Sequence, residues 1–511
     1  MPPRSAVGRL FHFIFGRPLA NAERETQKIG PLQGVPILGL DALGSASYGP
    51  EAALAVLLPL GVVGIHYVPE VLGAIICLLA ILYFSYRQTI AAYPNGGGSF
   101  TVAKENLGER CGLLAAAALL VDYILNVAVG ISAGVGALES AFPALQNHTL
   151  TLCLGVLLIV TFVNLRGIRE SGLAWSLPTY TFVGSLAIVL GFGIFKAIQA
   201  GGHPRAVLPP APLASSAGAI SLWLILRAFA SGCTAMTGVE AVSNGVPIFA
   251  EPAVKNARRT LTLIVMILGT LLAGIGFLAN AYQVGAMDQR QPNYQSVISQ
   301  LTAAIVGRGP LYFITIGGVL AVLTLSANTS FADFPRLCRL LAEDGYLPHA
   351  FANLGRRLVY STGILILFVL SAILLTIFGG ITDRLIPLFA VGAFGAFTMS
   401  QAGMVVHWRR LKGKGAKAAL SLNGLGACTT AVALLIIIVA KFQEGAWVSV
   451  IIIPGFIWLF LAVKGHYRHT SAAIADAPSL QVWKMRPLIV VIPINGWNRV
   501  TEQALRFGAQ I

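Results

Sequence analysis

The feature that most limits this chain is a succession of apolar runs about 20 residues long, separated by short polar connections. At 1.5 Å of rise per residue, each run is long enough as a helix to cross a ~30 Å hydrocarbon layer. Composition agrees, since 56% of the 511 residues are hydrophobic and only 11% are charged. A soluble domain carries about 25% charged residues, because even a large core needs a polar shell. Mean hydropathy is +0.77. The pattern predicts an all-α integral membrane protein and excludes a soluble enzyme.

The runs number about twelve, near residues 33–60, 69–91, 112–138, 150–164, 173–199, 218–248, 260–283, 309–333, 358–379, 385–407, 419–440 and 445–464. A net charge of +15 would suggest nucleic acid in a soluble protein. Here the basic residues flank the spans, as cytoplasmic anchors do, so no nucleic-acid partner is expected. Lys104 with Arg110, Arg166 with Arg169, Lys255 with Arg258 and Arg259, Arg336 with Arg339, and Arg409 through Lys417 fall in alternate connections. The connection with Arg290 and Arg308 fits this alternation less well. An even number of spans then predicts a multi-pass protein of the inner (plasma) membrane with both ends of the membrane domain cytoplasmic. Arg4, Arg9, Arg17, Arg24 and Lys28 interrupt any apolar run at the N-terminus, so no signal peptide is expected. Cys77, Cys153, Cys233 and Cys428 lie in apolar runs and read as small buried hydrophobes, with no disulfide or zinc spacing.

Two spans are interrupted in their sequence. The first reads Asp41-Ala-Leu-Gly44-Ser45-Ala46-Ser47-Tyr48-Gly49-Pro50, and the sixth reads Ser231-Gly232-Cys233-Thr234-Ala235-Met236-Thr237-Gly238-Val239-Glu240, followed by Asn244, Gly245 and Pro247. Glycine, proline and small hydroxyls free backbone groups that lipid cannot satisfy but a ligand-lined cavity can. Paired interruptions in spans one and six predict a binding site between two inverted five-helix repeats.

The same segments carry acids. Asp41, Asp122 and Glu240 fall in spans one, three and six. A carboxylate at bilayer depth costs about 2.5–3.5 kcal/mol on insertion scales, so each needs a reason to be there. Bland reasons exist: a helix cap for Asp41, an interhelical hydrogen bond for Asp122, a protonated packing carboxyl for Glu240. One shared polar site explains all three together. Asp122 and Asn126 lie four apart on one helix face, and Thr237 and Glu240 would face together if their turn stays helical. With Tyr48 and Tyr123 these side chains offer hard oxygen donors. Such donors repel a carboxylate ligand and suit a dehydrated monovalent cation, a proton, or both. A cation site of this kind requires that Asp41, Asp122 and Glu240 converge.

Residues Leu40–Glu51, Ser85-Tyr86-Arg87-Gln88, Tyr93-Pro94-Asn95-Gly96-Gly97-Gly98-Ser99, Val121-Asp122-Tyr123, Asn164–Gly172 and Thr237–Asn244 resemble the amino acid–polyamine–organocation (APC) superfamily. Within it the chain is most similar to the KUP-type potassium importers of the bacterial KimA type. The resemblance implies a LeuT-like fold with broken spans one and six, potassium uptake coupled to protons, and a homodimer. It also implies a cation path through Asp41, Tyr48, Asp122, Tyr123, Thr237 and Glu240. K+ and H+ are then transported species, and no bound cofactor is expected. Asn126 stands where the resemblance implies Thr, Gly130 where it implies Ser, and Phe389 where it implies Tyr. A proton-coupled amino acid or polyamine permease is the alternative; Ala46 in place of a second glycine argues against an amino acid carboxylate there. A membrane sensor with vestigial transport is the reading from another class.

Three smaller segments complete the organisation. Gly96–Gly98 lacks the preceding strand and following Lys of a phosphate loop and reads as a gate or connection. Arg336–Pro348 reads as an amphipathic helix after span eight. The predicted division is a cytoplasmic tail over 1–30, a transporter domain over 31–465, a linker over 466–486, and the beginning of a cytosolic α/β domain over 487–511. That last unit has a strand at Pro487–Pro493 and a helix over Thr501–Ala509 and reads as incomplete. The resemblance implies cyclic di-AMP control of that domain where it is whole.

Overall fold

A computed structural model describes residues 28–167, 172–213, 221–355, 358–411, 415–475, 490–494, 497 and 499–510. Twelve helices among them are long and apolar enough to cross a membrane: Leu40–Ile65, Val68–Ala92, Glu109–Ala141, Pro143–Leu165, Trp175–Gln199, Leu222–Asn244, Ala253–Ala281, Pro310–Glu343, Ser361–Phe378, Thr382–Arg410, Ala416–Glu444 and Ala446–Ala473. They are spans one to twelve below. The chain divides into two compact units after Lys464.

Spans three and ten form the centre of the first unit. In their most apolar windows, 94% and 83% of residues are buried, against 17% for span twelve. Composition explains the difference. Span three is rich in Ala and Gly, and without bulky side chains its neighbours approach to backbone distance. Gly392 of span ten lies so close to span three that an added Cβ would stand 3.0 Å from the Asp122 nitrogen. Spans eight and ten each pack on span three, and span seven packs on span two. On the outer spans, Leu158, Ile373, Leu435 and Trp458 are exposed, as lipid-facing residues should be.

Span six is broken where the sequence predicts. A helix over Leu222–Gly232 tightens into a 3-10 turn over Cys233–Met236. Thr237 is then extended (φ −63°, ψ 157°) and Gly238 takes φ +76°. Helix resumes only for Ala241–Asn244. Span one differs from expectation. The interruption lies just ahead of it at Gly39 (φ −105°, ψ 2°), between helices Pro31–Leu38 and Leu40–Leu57, and the run Gly44–Pro50 is helical. The small residues there serve packing instead. A Cβ on Gly49 would lie 2.8 Å from the Ala235 Cα, so glycine brings span one against the break of span six.

Other departures are local. Arg336–Glu343 is no separate helix but the end of span eight, which runs unbroken from Pro310 to Glu343 and stops before Gly345 (φ +76°). The helix of span twelve continues to Ala475, into the stretch read as linker. In the second unit, residues 490–494 form no strand, and a helix covers Arg499–Gly508. The tail over 1–27, Arg169, residues 476–486 and the start of the expected strand lie outside the described residues. Cys77 and Cys428 are exposed on their helices, while Cys153, Cys233 and Cys338 are buried. The awkward Arg290 is compensated, since its guanidinium lies 2.8 Å from Asp288. That contact holds the Asp288 carboxyl below the usual range.

Candidate functional site

Span one reaches the break of span six through hydroxyls. Ser45 Oγ donates to the Ala235 carbonyl at 2.6 Å, satisfying a group that the break leaves without a helical partner. Tyr48 Oη and Thr237 Oγ1 are 3.2 Å apart. Asp41 lies in the first turn of its helix, two residues after the Gly39 interruption, with its carboxylate against Gly238. A Cβ at position 238 would stand 2.6 Å from both Asp41 Cβ and Oδ2. Only glycine fits, both for that space and for its positive φ.

Glu240 is held from a third direction. Ser99 Oγ donates to its Oε2 at 2.7 Å and Tyr86 Oη at 3.3 Å. Ser99 opens the short helix Ser99–Leu107 directly after the Gly96–Gly98 run. That run is a packing device: the Gly97 amide donates to the Ser243 carbonyl at 3.0 Å, and a Cβ on Gly98 would strike the Asn244 side chain. Glycines there bring Ser99 to the broken span. Because Thr237 is extended, Thr237 and Glu240 do not share a helical face: Thr237 meets span one and Glu240 meets span two and the Ser99 helix.

On span three, Asp122, Tyr123 and Asn126 are buried. Asn126 Nδ2 donates to Ser330 Oγ of span eight at 2.9 Å. Gly130, one turn on, faces Ser326 of the same helix, where a Cβ would stand 2.7 Å from Ser326 Oγ. Phe389 is buried with its ring 6.4 Å from that of Tyr48. Tyr123 lines a cavity of about 400 Å³ with Asp333, Arg336, Asn95 and Asn244.

The electrostatics follow from these placements. Asp122 is within charge–charge reach of Asp41 and Glu240, and Asp41 of Glu240. None of the three takes part in an ion pair among the described residues. Asp41 Oδ1, Asp122 Oδ1, Asn126 Oδ1 and Glu240 Oε1 are buried without a hydrogen-bond partner. Buried oxygens in that condition are costly unless something occupies the space between them. The three carboxylates approach one another without forming a cluster of three acidic, His or Cys side chains that could jointly hold a metal ion among the described residues. Asp41 lies beside the Thr237 hydroxyl and Glu240 beside those of Ser99 and Tyr86, while Asp122 faces both carboxylates.

Sequence reasoning missed several neighbours. Asp333 is a fourth acid in reach of Asp41 and Glu240, paired with Arg336 at 3.3 Å. Its place after an apolar run made it look like a span end. Glu51, directly after Pro50 and about one turn beyond Tyr48, accepts a 2.7 Å hydrogen bond from Tyr294 and lines a small cavity with Ser47 and Asp383. A second acid in span one was the signal that would have found it.

A twelve-span bundle with buried, unpaired carboxylates beside an interrupted pair of helices is the architecture of a multi-pass membrane transporter. The family model described as amino acid permease matches residues 42–474. Potassium transporter KimA of Bacillus subtilis (strain 168) is 38% identical over 500 residues, covering 98% of this chain and 81% of that protein. The vacuolar cationic amino acid transporter 2 of Arabidopsis thaliana is 23% identical over 342 residues, covering 63% of this chain and 51% of that protein. The chain belongs to the amino acid permease family of the APC superfamily.

Proposed function

We propose that this protein imports potassium together with protons by alternating access in the plasma membrane. The observation that carries the reading is the mutual approach of Asp41, Asp122 and Glu240, each buried, none ion-paired among the described residues, each with an oxygen lacking a partner. A dehydrated monovalent cation needs several oxygen donors, which hydroxyls, amide oxygens and carboxylates supply in combination. Asp41 with Tyr48 and Thr237, and Asp122 with Tyr123 and Asn126, offer such mixed sets. Their separation argues for an ion passed between neighbouring acids, with Glu240 and its Ser99 and Tyr86 hydroxyls on the proton side. Similarity to a potassium transporter over nearly the whole chain supports the same substrate.

In this reading spans one to five and six to ten are inverted repeats, and the cavity at Tyr123 and Asp333 is the cytoplasmic approach. Both ends of the membrane domain are cytoplasmic, and the transporter works as a homodimer. A polyamine or cationic amino acid permease is the second reading, favoured by the acids themselves and by the more distant cationic amino acid relative.

Purified protein in liposomes separates the two. Rubidium uptake driven by an inward proton gradient, without uptake of spermidine, arginine or leucine, is the expected result. Uptake of spermidine or arginine with no rubidium flux would overturn the potassium reading.

A further inference from the structure

Spans two, five and seven enclose a groove that the transport reading does not use. Its volume is about 740 Å³, within the roughly 300–1,000 Å³ range of ligand pockets, and its walls include Leu79, Phe84, Ile194, Met266 and Phe277. Phe84, Met266 and Phe277 are exposed, so the groove opens on the lipid-facing surface. Gly269 widens it: a Cβ there would meet nothing within 4 Å.

One end of the groove is polar. Tyr83 and Thr262 line it, with their hydroxyls 3.0 Å apart. Arg87 donates to Tyr83 Oη at 2.6 Å and to Thr262 Oγ1 at 3.4 Å. Arg258 Nε donates to the Arg87 carbonyl at 2.9 Å. The two guanidinium groups stand close enough to repel each other, and neither has a carboxylate partner among the described residues. Two partly buried like charges held together without a counter-charge call for an anion. The guanidinium nitrogens not used in these contacts suit the paired oxygens of a phosphate.

We propose that this groove binds one anionic phospholipid, with an acyl chain along the apolar wall and the head-group phosphate on Arg87 and Arg258. Neither half alone requires it, since lipid-facing grooves are common and arginines mark membrane borders. Their junction through Tyr83 and Thr262 makes one amphiphilic site.

Native mass spectrometry of the full chain tests this without reference to transport. The protein is offered equimolar phosphatidylglycerol and phosphatidylcholine in mild detergent, and the retained adducts are counted. Wild type should retain phosphatidylglycerol preferentially. Arg87→Gln/Arg258→Gln should lower that preference by roughly tenfold or more, given about 1 kcal/mol per basic residue near a lipid surface. Gly269→Trp fills the groove from a position with open space and should lower retention of both lipids. Equal retention of the two lipids by wild type would overturn the proposal. So would unchanged retention in Gly269→Trp accompanied by loss of a dimer, which would make the groove a contact between two copies.

Discussion

The carboxylate of Asp41 rests directly on Gly238, within the break of span six: a Cβ on Gly238 would stand 2.6 Å from Asp41 Oδ2. The interruption of one span therefore sets the position of the acid on another. Gly238 has φ +76°, a conformation that costs other residues about 1–3 kcal/mol. Gly238→Ala adds both strain and a clash. It should lower the Tm of the purified protein by several degrees and reduce rubidium uptake at least tenfold. A variant with unchanged Tm and uptake would show that the contact is dispensable.

The 3.2 Å contact between Tyr48 and Thr237 ties the same two spans two turns further along span one. Tyr48→Phe and Thr237→Val each remove one hydroxyl and little volume. If the pair acts as a unit, the double variant should lose no more uptake than the worse single one, a coupling of about 0.5–1.5 kcal/mol. Strictly additive losses in the three uptake assays would separate the two hydroxyls.

Span eight carries hydroxyls where span three lacks them. Ser330 bonds Asn126, and Ser326 fills the space beside Gly130. Gly130→Ser should be destabilising alone, because its Cβ would meet Ser326 Oγ at 2.7 Å and the Leu323 carbonyl at 3.0 Å. Adding Ser326→Ala should recover part of the lost Tm. No recovery would locate the clash at the Leu323 backbone alone.

The hydroxyl of Ser99 is the shortest contact of Glu240, at 2.7 Å. Ser99→Ala leaves the carboxylate with Tyr86 as its one remaining donor among the described residues and should cut uptake several-fold, with protein in the membrane unchanged. Ser99→Thr, which keeps the hydroxyl, should retain most of it. Equal loss in both variants would point to packing at the Gly96–Gly98 turn instead.

Much of this was legible in the chain. Runs of about 20 apolar residues gave the spans because bilayer thickness dictates length, and the Thr237-Gly238 pair marked the break in span six because few residues tolerate that backbone. The break in span one was misplaced. Gly44, Gly49 and Pro50 look like helix breakers, yet Gly49 is there for contact with Ala235, while the bend is at an unremarkable Gly39. Ser326 and Ser330 were invisible as partners because a serine in an apolar run signals close packing as readily as hydrogen bonding. Ser99 and Asp333 belong to the site only through tertiary approach, which no local spacing encodes. The residues 490–494 have strand-like composition but no partner strand among the described residues, and composition alone does not make a sheet.

The most direct test is equilibrium binding of rubidium to the purified protein, compared among wild type, Asp41→Asn, Asp122→Asn and Glu240→Gln. The account predicts saturable binding by wild type and at least a tenfold weaker affinity in Asp41→Asn and Asp122→Asn, with all variants folded and inserted. Wild-type affinity retained in Asp41→Asn, Asp122→Asn and Glu240→Gln alike would contradict it.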